Sequence, residues 1–236
     1  MATILILCLV CLNIGVAVPQ NKTNSLGYYL NKCVTLPVEG ASKTRPSPEP
    51  GLECPSFRKR SCCNVNAVAN LLENHVWNGI VTYLHCPQKP RLSPECERLT
   101  FEQSCFYACS PNLGPWIYRY LYLDVGYNVP LCASQCNKWW EACKEEYTCH
   151  RNWLADMDWS PEGLNTCKEG SVCRKYTEVY NSSIDFCSTV FNGAYKVVPD
   201  SEPCIVFTFD TSKPNPNDAV ALEAAKKLVS QEVKVN

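Results

Sequence analysis

Cys96–Ile117 reads CERLTFEQSCFYACSPNLGPWI, and its pattern decides how the rest of the chain is read. Ser93-Pro94 just ahead of it is a helix start, with Ser as N-cap and Pro at the first helical position. Cys96, Leu99, Gln103, Phe106 and Tyr107 recur at helical spacing, with Cys105 and Cys109 one turn apart. Ser110-Pro111-Asn112-Leu113-Gly114-Pro115 then closes the helix with turn residues. The spacing predicts a helix over 94–109 that carries three cysteines. Bridged to three other parts of the chain, such a helix becomes a rigid platform with Tyr107 on it.

The surrounding composition says in which compartment those bridges would form. The chain opens on MATILILCLVCLNIGVAV, an apolar run with small residues Gly15 and Ala17, which reads as a secretory signal over 1–17. The run is too short for a membrane span. Two of the 18 cysteines, Cys8 and Cys11, lie in it, leaving the even number that a paired secreted framework requires. Asn21-Lys22-Thr23 and Asn181-Ser182-Ser183 are glycosylation sequons, which are used only in the secretory pathway. The final residues LVSQEVKVN are too polar for a membrane or lipid anchor. The expectation is a secreted, extracellular monomer with no transmembrane segment. Lys and Arg (22) balance Asp and Glu (23), which argues against nucleic acid or electrostatic membrane adsorption as partner.

Along the chain, 18–32 reads as a flexible leader, and EGASKTRPSPEPGLE between Cys33 and Cys54 as an irregular loop held by cysteines. Cys62 and Cys63 are adjacent and must bridge to different partners. Val68, Leu71, Leu72, His75 and Val76 predict a helix over 64–77. YRYLYLDVGY at 118–127 reads as an aromatic loop, and Pro130 as the start of a helix on which Cys132, Cys136, Trp139, Trp140 and Cys143 share a face. A further helix is expected at about 176–191, a strand at 205–209 (IVFTF) and an amphipathic helix over DAVALEAAKKLVSQEV. With no repeat and no linker, the chain predicts one largely helical domain, its last helix ending in the polar stretch 226–236.

Catalysis and metal binding fit poorly. His75, His85 and His150 lie apart, without the Ser or free Cys context of a triad. Thiolate zinc sites do not suit an oxidising compartment, and bridged cysteines leave no nucleophile. No enzyme activity, metal or cofactor is expected.

The cysteine order carries a resemblance. Cys62-Cys63, CFYACSPNLGPWI at 105–117, NVPLCASQCNKWWEAC at 128–143, YTCHRNW at 147–153 and the Cys167, Cys173, Cys187 spacing together resemble the folate receptor family. That family also includes riboflavin-binding proteins and a sperm-binding egg receptor. The resemblance covers residues 33–225 and implies an α-rich (α+β) disulfide-stabilised globular domain, with a few short strands, eight disulfides and a deep pocket for a flat heterocycle. It implies the pairs Cys33–Cys62, Cys54–Cys105, Cys63–Cys109, Cys86–Cys173, Cys96–Cys143, Cys132–Cys204, Cys136–Cys187 and Cys149–Cys167.

The resemblance also places ligand residues. Tyr107 falls where the family sets an aromatic ring against the ligand, Phe191 where the opposing ring is a Trp, and Trp159 at the end of a Trp-rich pocket loop. Gln103 stands where folate receptors carry an Asp, which weakens the grip on a pterin because a charged acceptor is the stronger one. Asp156 and Asp158 stand where folate's anionic tail would want donors, Arg119 is the one cation of 118–127, and Ala194 replaces a pocket serine. Those changes suit an uncharged flavin better than folate. PSPEP at 46–50, NWLAD at 152–156 and YTEVYNSSIDFC at 176–187 resemble the riboflavin-binding branch, whereas SPNLGPW and FDTSKPNPNDAVA resemble the folate receptors.

Taken without the resemblance, Tyr107 and Phe191 are ordinary core aromatics and Gln103 a solvated surface residue. The leading expectation is a carrier of a planar heteroaromatic vitamin, riboflavin before folate. The competing one is a member that has lost its small ligand and binds a cell-surface or other protein partner, using the tyrosines of 118–127.

Overall fold

The computed structural model describes residues 25–36, 40–68, 76–77, 81–120, 123–160 and 164–233. Among these residues six helices run: α1 Leu26–Tyr29, α2 Pro94–Cys109, α3 Ala133–Cys143, α4 Tyr176–Val179, α5 Ser183–Thr189 and α6 Asn217–Val233. Short strands pair two by two: β1 Ser42–Ser47 with β2 Ser61–Cys63, β3 Val76–Trp77 with β4 Val81–Thr82, and β5 Ile117–Tyr120 with β6 Leu123–Gly126. Then β7 Val129–Cys132 pairs with β12 Tyr195–Val198, β8 Tyr147–Thr148 with β11 Arg174–Lys175, and β9 Asp158–Trp159 with β10 Asn165–Thr166. Of these pairs β7–β12 is parallel and the others antiparallel. This is the α-rich, disulfide-stapled architecture with short strands that the sequence predicts.

All sixteen cysteines among the described residues are bridged, and the pairs are the eight that the resemblance implies. Three of them hold α2: Cys96 to Cys143 on α3, Cys105 to Cys54, and Cys109 to Cys63 on β2. Around this frame α3 buries Cys136, Trp139 and Cys143 on one face. Trp139 meets Phe186 of α5 edge-on at 4.7 Å and Phe207 at 5.8 Å. Trp140, beside it, stays half-buried.

Local chemistry corrects several sequence expectations. Ser93 sits at the N-cap of α2, but its side chain makes no capping bond; its backbone N–H instead donates to Glu146 Oε1 at 2.9 Å. The 118–127 aromatic stretch is no loop, because most of it forms the β5–β6 hairpin. Pro130 does not open a helix. It lies in β7, where its missing N–H costs nothing and its carbonyl accepts from Ile205 N–H at 2.7 Å. The expected strand at 205–209 reduces to one bridge between Leu131 and Ile205. The buried Asn217 side chain satisfies both backbone groups of Val206 in place of a neighbouring strand.

The helix expected over 176–191 is two, α4 and α5, interrupted where Ser182 Oγ caps α5 by accepting from Asp185 N–H. Over 64–77 the described residues form a 3-10 turn, Val65–Ala67, capped by Asn64, and the strand β3; Leu71, Leu72 and His75 lie outside them. The signal segment 1–17 and Asn21 lie outside them too. Within the stretch read as leader, α1 is docked: Tyr29 is buried, and Arg45 donates to the Leu30 carbonyl at 3.1 Å. Among the described residues no helix is long and apolar enough to cross a membrane.

Two features make testable demands. A Cβ on Gly114 would lie 1.8 Å from the Tyr29 carbonyl oxygen, so the α2 turn accepts α1 only as glycine. Gly114→Ala is expected to destabilise by about 1–3 kcal/mol and to speed protease cleavage ahead of Cys33, both read against wild type.

His85 is buried under Trp153, with its ring nitrogens facing Thr148 and Asn165. Burial, and secondarily the charge of His150, push it down to about pH 3, against a backbone contribution at Thr82 that raises it. The unfolded chain takes the same proton near pH 6.5. Stability from a neutral His85 is therefore complete above that value and is lost as pH falls toward 3. Melting across that window should show a loss of up to about 1.4 kcal/mol per pH unit, reduced in His85→Gln.

Candidate functional site

Of the residues singled out in the sequence, Gln103 and Tyr107 lie one turn apart on α2. Gln103 is 3 % exposed, which removes the solvated-surface reading. Its Nε2 donates to the Tyr195 hydroxyl at 2.8 Å. Next along the helix, Ser104 Oγ donates to the Thr100 carbonyl at 2.9 Å and accepts from the Tyr83 hydroxyl. The contact of Ser104 with Gln103 Oε1 is longer, 3.4 Å, and competes for the same proton. Gln103 thus spends its amide N–H on Tyr195 and keeps acceptor capacity on its carbonyl. One turn on, half-buried Tyr107 accepts from Gly126 N–H at 2.9 Å, which ties the base of the β5–β6 hairpin to α2.

These polar groups stay uncharged. Burial pushes the Tyr107 phenol up to about 12, helped by the Asp124 carboxylate and opposed by the Gly126 bond. Burial likewise raises Tyr83 and Tyr195. Arg119, the cation of the hairpin, is paired with Asp124 at 3.0 Å. Burial opposes ionisation of Asp124, yet the Arg119 guanidinium and the Thr35 hydrogen bonds hold its pKa below the usual carboxylate range.

Aromatic contacts close a circuit. Tyr83 packs 5.9 Å from Trp153, Trp153 meets Phe191 edge-on at 5.7 Å, and Phe191 stacks on Trp139 at 6.2 Å. Trp139 Nε1 then donates to Thr100 Oγ1 at 3.1 Å and returns the path to α2. Gln103 and Phe191 are thereby linked through α2, Thr100 and Trp139, Tyr107 stands one turn from Gln103 on the same helix, and Ala194 is buried beside Tyr195.

Trp159 and Asp158 form β9 of the neighbouring β9–β10 pair, and Asp156 lies in the turn before it. Trp159 is 47 % exposed and pairs with Asn165, whose buried side chain bonds Trp153 O and Thr82 N. Asp156 closes its own turn by accepting from Asn152 N–H at 3.2 Å, and Asp158 is exposed. These three do not join the α2 cluster directly; Asn165 and Trp153 link the two groups. Sequence reasoning missed Tyr83, Ser104, Trp153 and Tyr195. Trp153 and Ser104 lie inside quoted motifs, but only long-range packing shows that Trp153 meets Phe191 and that Tyr83 meets Ser104.

The comparisons with known proteins agree with this framework. The folate receptor family matches residues 32–206. Folate receptor gamma of Homo sapiens is 34 % identical over 196 residues, 76 % of this chain and 75 % of the relative. Riboflavin-binding protein of Dromaius novaehollandiae is 37 % identical over 177 residues, 71 % and 69 % of the two chains. Folate receptor alpha of Bos taurus is 32 % identical over 230 residues, covering 94 % and 92 %. The two kinds of relative stand at nearly equal distance, so identity does not choose between their ligands. With the bridge pattern and the α2 platform in place, the match over residues 32–206 leaves one assignment: the chain belongs to the folate receptor family.

Proposed function

We propose that this chain is a secreted carrier for a planar, uncharged heteroaromatic vitamin, riboflavin or a related flavin before folate, and that it catalyses no reaction. The relatives named as folate receptors and riboflavin-binding proteins supply the ligand class. The observation that carries the preference is the neutrality of the cluster on α2. Gln103 offers a carbonyl rather than a carboxylate, and the hairpin cation Arg119 is spent on Asp124. An anionic tail finds no free cation in that hairpin among the described residues, whereas an imide N–H finds an acceptor.

In this reading Tyr107 and Phe191 bear on the ring, Gln103 takes a ring N–H, and Asp156, Asp158 and Trp159 face the polar tail from the adjacent hairpin. Secretion accords with the exposed sequon Asn181, which stands open to glycosylation. The chain acts as a monomer.

One observation favours a second reading. Tyr118 and Tyr127 are 59 % and 57 % exposed at the base of the β5–β6 hairpin, as a protein-binding surface would present them.

Titration of riboflavin fluorescence with oxidised protein, run beside folate by tryptophan quenching, separates the readings. Flavin quenching at sub-micromolar protein is the expected result. Tight folate binding with flavin emission unchanged would sink the flavin preference, and silence from both ligands would leave the protein-partner reading. Tyr107→Ala is expected to weaken flavin binding by about 2 kcal/mol; an unchanged dissociation constant removes Tyr107 from the site.

A further inference from the structure

The bridges are not equally placed. In two places two disulfides lie side by side. At the first, Cys54 Sγ and Cys109 Sγ, from different bridges, are 4.0 Å apart. All four cysteines there (Cys54, Cys105, Cys63 and Cys109) are at most 3 % exposed, out of reach of any external thiol. At the second, the Sγ atoms of Cys86, Cys167 and Cys173 lie within 4.8 Å of one another, although Cys167 is bonded to Cys149 and Cys86 to Cys173. Here Cys167 and Cys173 are half-buried. Cys167 Sγ also rests 3.2 Å from the carbonyl oxygen of His85, one residue from Cys86.

We propose that Cys149–Cys167 is a thiol-exchange site, the first bridge opened by an external dithiol, with Cys86–Cys173 as the acceptor of the thiolate released. Rates of thiol–disulfide exchange follow thiolate fraction and access. Access favours Cys167 and Cys173 over the buried cysteines, and Lys168 and Arg174 flank these two in sequence against the single acid Glu169; the loop each bridge closes then chooses between them. Cys204 is half-buried as well, but its neighbour is the Asp200 carboxylate rather than a second bridge, and a negative charge disfavours an attacking thiolate. Cys149–Cys167 also closes the shortest loop of the eight, a separation of 18 residues. It therefore restricts the unfolded chain least.

The chemistry balances with the dithiol as reductant. Its thiolate attacks Cys167 Sγ and expels the Cys149 thiolate. Its second thiol then closes the reductant's own disulfide and frees Cys167. The Cys167 thiolate attacks Cys173 Sγ, forming Cys167–Cys173 and expelling Cys86. Two electrons pass from dithiol to protein, and its two thiol protons end on Cys149 and Cys86. The loop from 150 to 166, with Asp156, Asp158, Trp159 and Asn165, loses its covalent closure. None of this depends on which ligand the protein carries.

The test is a short pulse of dithiothreitol on the oxidised full chain, trapping with iodoacetamide, and disulfide mapping without reduction. The expected product carries label on Cys86 and Cys149 and a Cys167–Cys173 bridge, formed on the order of tenfold faster than any buried bridge opens, because access sets the rate. Faster hydrogen exchange over 150–166 should accompany it. Label on both Cys149 and Cys167 with Cys86–Cys173 intact would overturn the exchange step. First opening at Cys132–Cys204 or at Cys86–Cys173, or simultaneous opening of all eight, would overturn the site itself.

Discussion

Everything in this molecule hangs on the covalent pinning of α2. A single bridge lets a helix pivot, and two define an axis about which it can still roll. Cys96, Cys105 and Cys109 hold it from α3, from the Cys54 turn and from β2, so neither motion remains. Gln103, Ser104 and Tyr107 lie between those anchor points, and their directions are fixed before any side chain of the site makes a contact. Chains that bury polar groups need that precision, since a buried donor left without an acceptor costs about 1–3 kcal/mol.

The polar groups meet that demand with neutral partners. Tyr83, Ser104, Gln103 and Tyr195 hand hydrogen bonds along α2, and the ion pair of the nearby hairpin, Arg119 with Asp124, is turned on itself. Burial keeps the phenols protonated, so the cluster holds its hydrogen-bond pattern across the physiological pH range. The aromatic half is built differently. Trp139, Phe191 and Trp153 are locked by ring-to-ring contacts and by the indole N–H bonds to Thr100 and Thr148. Polar direction comes from one side of the cluster and apolar bulk from the other.

How much of this was legible depended on how local the cause was. The α2 and α6 helices announce themselves by spacing and turn residues, and their described extents agree with that pattern. The bridge pairing follows from the cysteine order only through a family resemblance, because residues alone leave many connectivities open. The short strands were hidden, since two-residue pairings such as Asn165 with Trp159 leave no periodicity to read. Pro130 misled because its role comes from β12, far away in sequence. Ile205–Phe209 has the composition of a strand, yet one side chain, Asn217, takes the hydrogen bonds that a neighbour strand would have used. Within the candidate site, Gln103 was readable as buried or solvated, and the deciding partner, Tyr195, lies 92 residues away.

The bridge pattern also sets how the protein would answer a pull on its ends. The shortest covalent route from Cys33 to Cys204 crosses to Cys62, steps to Cys63, crosses to Cys109, follows the backbone to Cys132 and crosses again. Only the stretch from Cys109 to Cys132 on that route is unbridged chain, and it contains the β5–β6 hairpin. A second route of nearly equal length runs back along α2, over Cys96–Cys143 and down α3. Tension cannot draw out the hairpin without unravelling both helices. Mechanical load is therefore shared between the platform and the hairpin above it, and Tyr107 with its Gly126 bond sits at their junction.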